Sequence, residues 1–215
     1  MAIKTVITDY NVLSEISEEI DLRKENNLAR ETTLDLKHTM QKNEYAVLAA
    51  PQIGVKKRIF CINFNGDIRT FCNPMYKNVG RLVLNREKCP SIPGKEYFRF
   101  RHDDVELVYQ TPMGKIECRK FTGMAAYVVQ YAVDMLDGLL ISDVGLEILD
   151  GWEELSEADK NSVIDDYIQS LDLTRKEVKK EINENKELKQ LSDAIDFIES
   201  VQRGETKLES DVYFI

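Results

Sequence analysis

The ten residues Val129-Gln130-Tyr131-Ala132-Val133-Asp134-Met135-Leu136-Asp137-Gly138 constrain this chain more than any other stretch. They read as a buried helix closed by a glycine, because apolar residues fill the run and glycine takes the left-handed conformation that ends a helix at low cost. Tyr131 and Met135 lie four apart, so they share one face. A hydrolase built on such a helix would want a metal ligand at each of these positions and a general base at position 132. Tyr131, Ala132 and Met135 supply none of the three.

A helix of this kind needs a core around it. The chain has 215 residues, 43% of them apolar, which is enough for one domain with a real core plus an appendage. No apolar run approaches the roughly 20 residues of a membrane span. The first residues lack a charged segment followed by an apolar one, so a cytosolic protein is expected. Cys61, Cys72, Cys89 and Cys118 form no CxxC pair and read as free thiols in a reducing compartment. The net charge of −9 is unevenly placed. Residues 1–150 carry 20 basic and 21 acidic side chains, and residues 151–215 carry 9 and 17. Two segments with different tasks are expected, divided at 150/151. The acidic balance argues against nucleic acid as a partner, since a phosphate backbone needs a basic face.

Hydrophobic spacing predicts a helix over 26–42 after an extended lead-in of about 14 residues. Residues 58–64 and 68–72 read as strands joined by a turn at Asn65-Gly66-Asp67, with Asn73-Pro74 ending the second. A short strand follows at 82–84. Segments 97–100, 105–110 and 115–121 alternate as an antiparallel meander. Ser156 with Asp159 and Thr174 with Glu177 each look like a helix start, which predicts a helical hairpin over 151–215.

Three separated stretches carry a resemblance. Leu48-Ala49-Ala50-Pro51-Gln52-Ile53-Gly54, then Glu87-x-Cys89-x-Ser91-Ile92-Pro93-Gly94, then Gln130-x-x-x-Asp134-x-Leu136-x-Gly138 resemble, in order, the three motifs of peptide deformylase. Thr39-Met40, Asn73-Pro74 and Asp143 match as well, and the resemblance covers residues 10–145. It implies an α+β fold with antiparallel sheets wrapped around a central helix. It also implies an enzyme that removes the N-formyl group from new polypeptides, using a divalent iron, zinc or nickel ion held by one cysteine and two histidines. The metal would ionise a water and polarise the formyl oxygen.

Position by position, the cysteine ligand is Cys89, the two histidines are Tyr131 and Met135, and the glutamate base is Ala132. One thiolate beside a phenol and a thioether is no ordinary zinc or ferrous site. His38 and His102 lie outside the motif and read as surface or structural. The resemblance places oxyanion donors on Gln52 and on the backbone N–H after the cysteine. That residue is Pro90, which has no N–H. The family's Gly-x-Gly before the first motif is Tyr45-Ala46-Val47, whose side chains narrow the cleft.

These substitutions lead to the expectation of an inactive homologue that needs no cofactor and works by binding a protein or peptide. The remnant cleft would be lined by Tyr45, Val47, Gln52, Cys89, Tyr131 and Met135, with the helical segment 151–215 as a contact surface. Two alternatives stand beside it. One is a residual hydrolase at Cys89. The other is a factor associated with ribosomes or nascent chains, for which the acidic segment has the wrong sign.

Overall fold

The structure is a computed structural model that describes residues 3–184. In chain order its elements are helix α1 (Tyr10–Leu13), helix α2 (Asn26–Asn43), strand β1 (Val47–Ala49), a 3₁₀ turn (Ala50–Ile53), strands β2 (Ile59–Phe64), β3 (Asp67–Asn78), β4 (Leu82–Lys88), β5 (Glu96–His102), β6 (Asp104–Gln110) and β7 (Ile116–Thr122), helices α3 (Met124–Leu136) and α4 (Ile141–Val144), strand β8 (Leu146–Glu147), a second 3₁₀ turn (Trp152–Glu154) and helix α5 (Glu157–Glu184). The fold is α+β. One antiparallel sheet runs β1-β2-β3-β6-β7 and a smaller one runs β4-β5-β8.

Helix α3 lies against strands of both sheets and forms the centre of one core, with Leu13, Phe60, Phe71, Tyr97, Leu107, Val129, Met135 and Leu136 among its buried residues. A second core lies between α2 and the back of β1 and β2, filled by Leu36, Met40, Leu48, Ile59, Cys61 and Cys72. The apolar character of α3 on nearly every side follows from this central position. Its end is fixed by Gly138, at φ +72°. A Cβ there would stand 2.4 Å from the backbone oxygen of Ser14, so the position excludes a side chain on two counts. The N-terminal segment is tied to the same place, because Ser17 N–H donates to the Leu136 carbonyl at 2.8 Å.

Four sequence expectations need correction. The lead-in is extended only up to Asp9, whose carboxylate accepts from Asn11 N–H and starts α1. Asn73-Pro74 does not end β3. The pairing with β6 slips between Cys72 and Met75, and this bulge takes the proline out of the ladder while Asn73 sits at φ +47°. The Asn73 side chain spans the bulge, bonding the Ile20 backbone N–H and carbonyl and the Gln110 amide. The meander breaks between β5 and β6, which belong to different sheets. The end of β5 is instead held to α3, as described below.

The fourth correction concerns the last segment. The chain divides into two compact units, one through Leu149 and one from Asp150. Ser156 caps α5 as its spacing predicts, with the Ser156 Oγ accepting from Asp159 N–H at 3.2 Å and donating to its carboxylate at 2.6 Å. The helix then runs through Thr174 without a break to Glu184. No glycine or proline lies between 157 and 184, and Thr-x-x-Glu reads the same inside a helix as at its start. The rest of the expected helical pattern, over 188–204, lies outside the described residues. Among the described residues no helix is long and apolar enough to cross a membrane.

Candidate functional site

Each side of the site is positioned by a different local device. Ala50-Pro51-Gln52-Ile53 forms a 3₁₀ turn because proline suits its start and Gly54 closes it at φ +84°. The turn buries Gln52 completely, and its Oε1 accepts the Ala49 backbone N–H at 3.0 Å. Cys89 follows the last residue of β4, where Pro90 and Pro93 prevent the strand from continuing. Helix α3 supplies Tyr131, Ala132 and Met135, all buried.

These parts meet in one chain of hydrogen bonds. Tyr131 Oη donates to Cys89 Sγ at 3.0 Å. The Gln52 Nε2 donates to Tyr131 Oη at 3.3 Å and to Ser91 Oγ at 3.1 Å. Gln52, Cys89, Ser91 and Tyr131 are each at most 5% exposed. Burial pushes the Cys89 thiol above its ordinary range, against the pull of the Tyr131 hydroxyl, the Ser91 and Ile92 backbone N–H groups and the Ser91 hydroxyl. Burial and the neighbouring sulfur raise the Tyr131 hydroxyl well above its ordinary value. At neutral pH both groups keep their protons.

The other flank of α3 is polar and equally fixed. Arg101, at the end of β5, donates from Nε and Nη2 to Glu87 at 2.7 and 2.9 Å and from Nη1 to Asp134 at 2.5 Å. Burial works against the Arg101 charge, and Asp134 and Glu87 more than offset it. One turn earlier, Gln130 takes up the backbone of His102: its Oε1 accepts the N–H at 3.0 Å and its Nε2 donates to the carbonyl at 2.8 Å. These bonds hold the strand leading to Cys89, through Glu87, against the helix that presents Tyr131.

Of the residues expected around the cleft, Gln52, Cys89 and Tyr131 are joined directly. Met135 and Val47 belong to the same core, Met135 within it and Val47 packed against it. Tyr45 does not join them, and packs instead on the α2 core. Pro90 is half-buried beside Cys89. His38 lies on α2, and His102 makes its ring contact with the Gly80 carbonyl. Sequence reasoning missed two residues as members of the network, Ser91 and Arg101. Strand alternation held the clue to Arg101, since it shares a β5 face with the buried Tyr97.

The polypeptide deformylase family model matches residues 3–147. The peptide deformylase of Dictyoglomus turgidum is 35% identical over 130 residues, which span 60% of this chain and 82% of that protein. The peptide deformylase of Fusobacterium nucleatum is 36% identical over 132 residues, spanning 60% and 76%. The crystal structure of peptide deformylase from Thermotoga maritima superposes with a TM-score of 0.62 at 25% identity, covering 66% of this chain and 97% of that one. Relatives so named imply a metal cofactor, and they overturn the expectation that this chain has none. Its residues still do not fit the divalent ion of the resemblance. Tyr131 directs a proton at the sulfur of Cys89, Met135 is a neutral thioether, and among the described residues no three His, Cys, Asp or Glu side chains gather to hold an ion. Matched by the family model over two thirds of its length and by these relatives in both sequence and fold, the chain belongs to the polypeptide deformylase family.

Proposed function

We propose that this chain is a deformylase-family scaffold that no longer performs deformylation and acts by binding a protein or peptide. The observation that carries this reading is the closed hydrogen-bond chain of Gln52, Tyr131, Cys89 and Ser91. Deformylation needs a nucleophilic water at the formyl carbon, donors for the oxyanion and a group that moves a proton to the leaving amine. Ala132 cannot move a proton. Pro90 has no N–H for an oxyanion, and loss of one such donor costs about 2.7–4 kcal/mol of barrier. The Gln52 amide is the remaining donor, and it is directed at Tyr131 and Ser91.

Binding is supported by the second unit. Helix α5 follows the matched region, carries Glu157, Asp159, Asp165 and Asp166 on its first turns, and leaves Val163 and Ile168 exposed. A basic or apolar protein surface suits it, and a nucleic-acid backbone does not. Cys61, Cys72 and Cys89 are buried free thiols, which suits a reducing cytosol.

One observation favours a second reading, a residual hydrolase at Cys89: the relatives are named peptide deformylase. Turnover of a formyl-methionyl peptide decides between them. With iron(II), nickel(II) or zinc(II) supplied in turn, the expected result is no release of formate above buffer. Turnover that disappears in Cys89→Ala would overturn the proposal and establish the hydrolase.

A further inference from the structure

We propose that the outer edge of strand β7 docks a second copy of this chain, as a two-fold antiparallel strand pair. The five-stranded sheet ends in β7, and among the described residues no strand pairs with it on the side away from β6. The hydrogen-bond phase fixes what that edge presents. Thr111 N–H donates to the Lys115 carbonyl at 2.8 Å and Gly123 N–H to the Asp103 carbonyl at 2.7 Å. The odd-numbered residues of β7 are therefore the ones bonded to β6. Ile116, Lys120 and Thr122 direct their N–H and C=O groups the other way, as the addition of a strand requires.

Charge selects both the partner and the register. In this phase, β7 can pair most of its length with itself about Cys118, Arg119 or Lys120. Centred on Arg119 or on Lys120, the pair sets a cation directly against its own copy, which is unfavourable. Centred on Cys118, it sets Glu117 opposite Arg119 of the second copy, twice by symmetry. These are non-hydrogen-bonded positions, where facing side chains stand closest. Arg119 already holds Glu117 of its own chain at 3.1 Å, so the two copies together close a four-membered ring of alternating charge. Charges on an edge strand normally keep strands apart. Here they exclude two registers and favour the third. The ends of the strand fit the same register. The turn before β7 carries Met113, 89% exposed, and the first residue of α3 after it is Met124, 66% exposed. With Cys118 on the axis, position 113 stands opposite position 123 of the second copy. The two-fold thus brings each Met113 beside the start of the other copy's α3 and its Met124, an apolar contact at both ends of the pair.

The dimer uses none of the groups around Cys89, so it stands or falls separately from the loss of deformylation. The test is sedimentation velocity of the full chain over rising concentration, which should pass from monomer to dimer. Lys120→Pro removes an outward N–H and leaves the bonds to β6 in place. With the thermal midpoint kept, it should raise the dissociation constant by about tenfold or more, since symmetry counts the lost bond twice. Arg119→Glu sets a carboxylate opposite Glu117 of the second copy and should abolish the dimer, and adding Glu117→Arg to it should restore the dimer by reversing both charges. A monomer at every concentration would leave the edge to another protein's strand and overturn the proposal. A dimer that survives both Lys120→Pro and Arg119→Glu would belong to another face and overturn it equally.

Discussion

The two flanks of α3 have diverged in what they preserve. On one, Gln130 and Asp134 stand a turn apart and keep a complete set of polar contacts to His102, Arg101 and, through Arg101, Glu87. On the other, Tyr131 and Met135 stand a turn apart with the same spacing, yet carry none of the side chains that the family resemblance assigns there. Both flanks are buried, so burial alone does not explain the difference. The first flank fixes the helix to the strand that delivers Cys89, and a change there would leave charges stranded in the core. The second stands where the resemblance assigns reagents, and there a phenol and a thioether fill the core, the Tyr131 hydroxyl bonded to Cys89 and the Met135 thioether needing no partner. The anchors thus occupy one side of the element, and the side to which the resemblance assigns the reagents can differ while the fold is kept.

The largest test of this contrast is Arg101→Leu. It leaves Glu87 and Asp134 buried without their cation, and stability should fall by about 3–5 kcal/mol, measured by urea unfolding. A fall below 1 kcal/mol would show that the polar flank is not the anchor. Gly138→Ala ranks next. The positive φ and the Ser14 oxygen 2.4 Å from the new Cβ should cost about 2 kcal/mol, seen as a lowered thermal midpoint.

Alkaline pH probes the cores themselves. Burial pushes the Cys61 and Cys72 thiols up to about 12 from an ordinary 9.0, so the folded chain keeps protons that the unfolded chain releases. Their contribution is complete below pH 9 and is lost as pH rises toward 12. Between those limits stability should drop by about 1.4 kcal/mol per pH unit for each thiol, and Cys61→Ala should flatten the slope measured by urea unfolding at pH 8, 9 and 10. The smallest effect belongs to the altered flank. Tyr131→Phe removes the donor to Cys89 and the acceptor for Gln52 and should cost only about 1 kcal/mol. A cost matching that of Arg101→Leu would erase the distinction between the flanks.

Much of this was legible in the sequence. The helix closed by Gly138, the helix over 26–42, the turn at Asn65-Gly66 and the cap at Ser156 are local signals, and the structure has each where its residues place it. What the sequence hid depends on partners far along the chain. Asn73-Pro74 looks like a strand end unless the bulge that absorbs it is known. Segments 97–100 and 105–110 look like neighbours because their alternation says nothing about which sheet each joins. Tyr45 looks like part of the cleft by position, although its side chain packs on the other core. Nothing local told that the Tyr131 hydroxyl would find the sulfur of Cys89, since the two lie 42 residues apart.

The contact between Ser14 and Gly138 also bears on the order of assembly. About 120 residues separate the two, as do Ser17 and its partner Leu136. During synthesis the leading segment emerges first, yet its docking surface is made only after both sheets and α3 have been translated. It must wait unlatched through most of translation, and the closure entropy of so long a loop makes its docking a late event in folding.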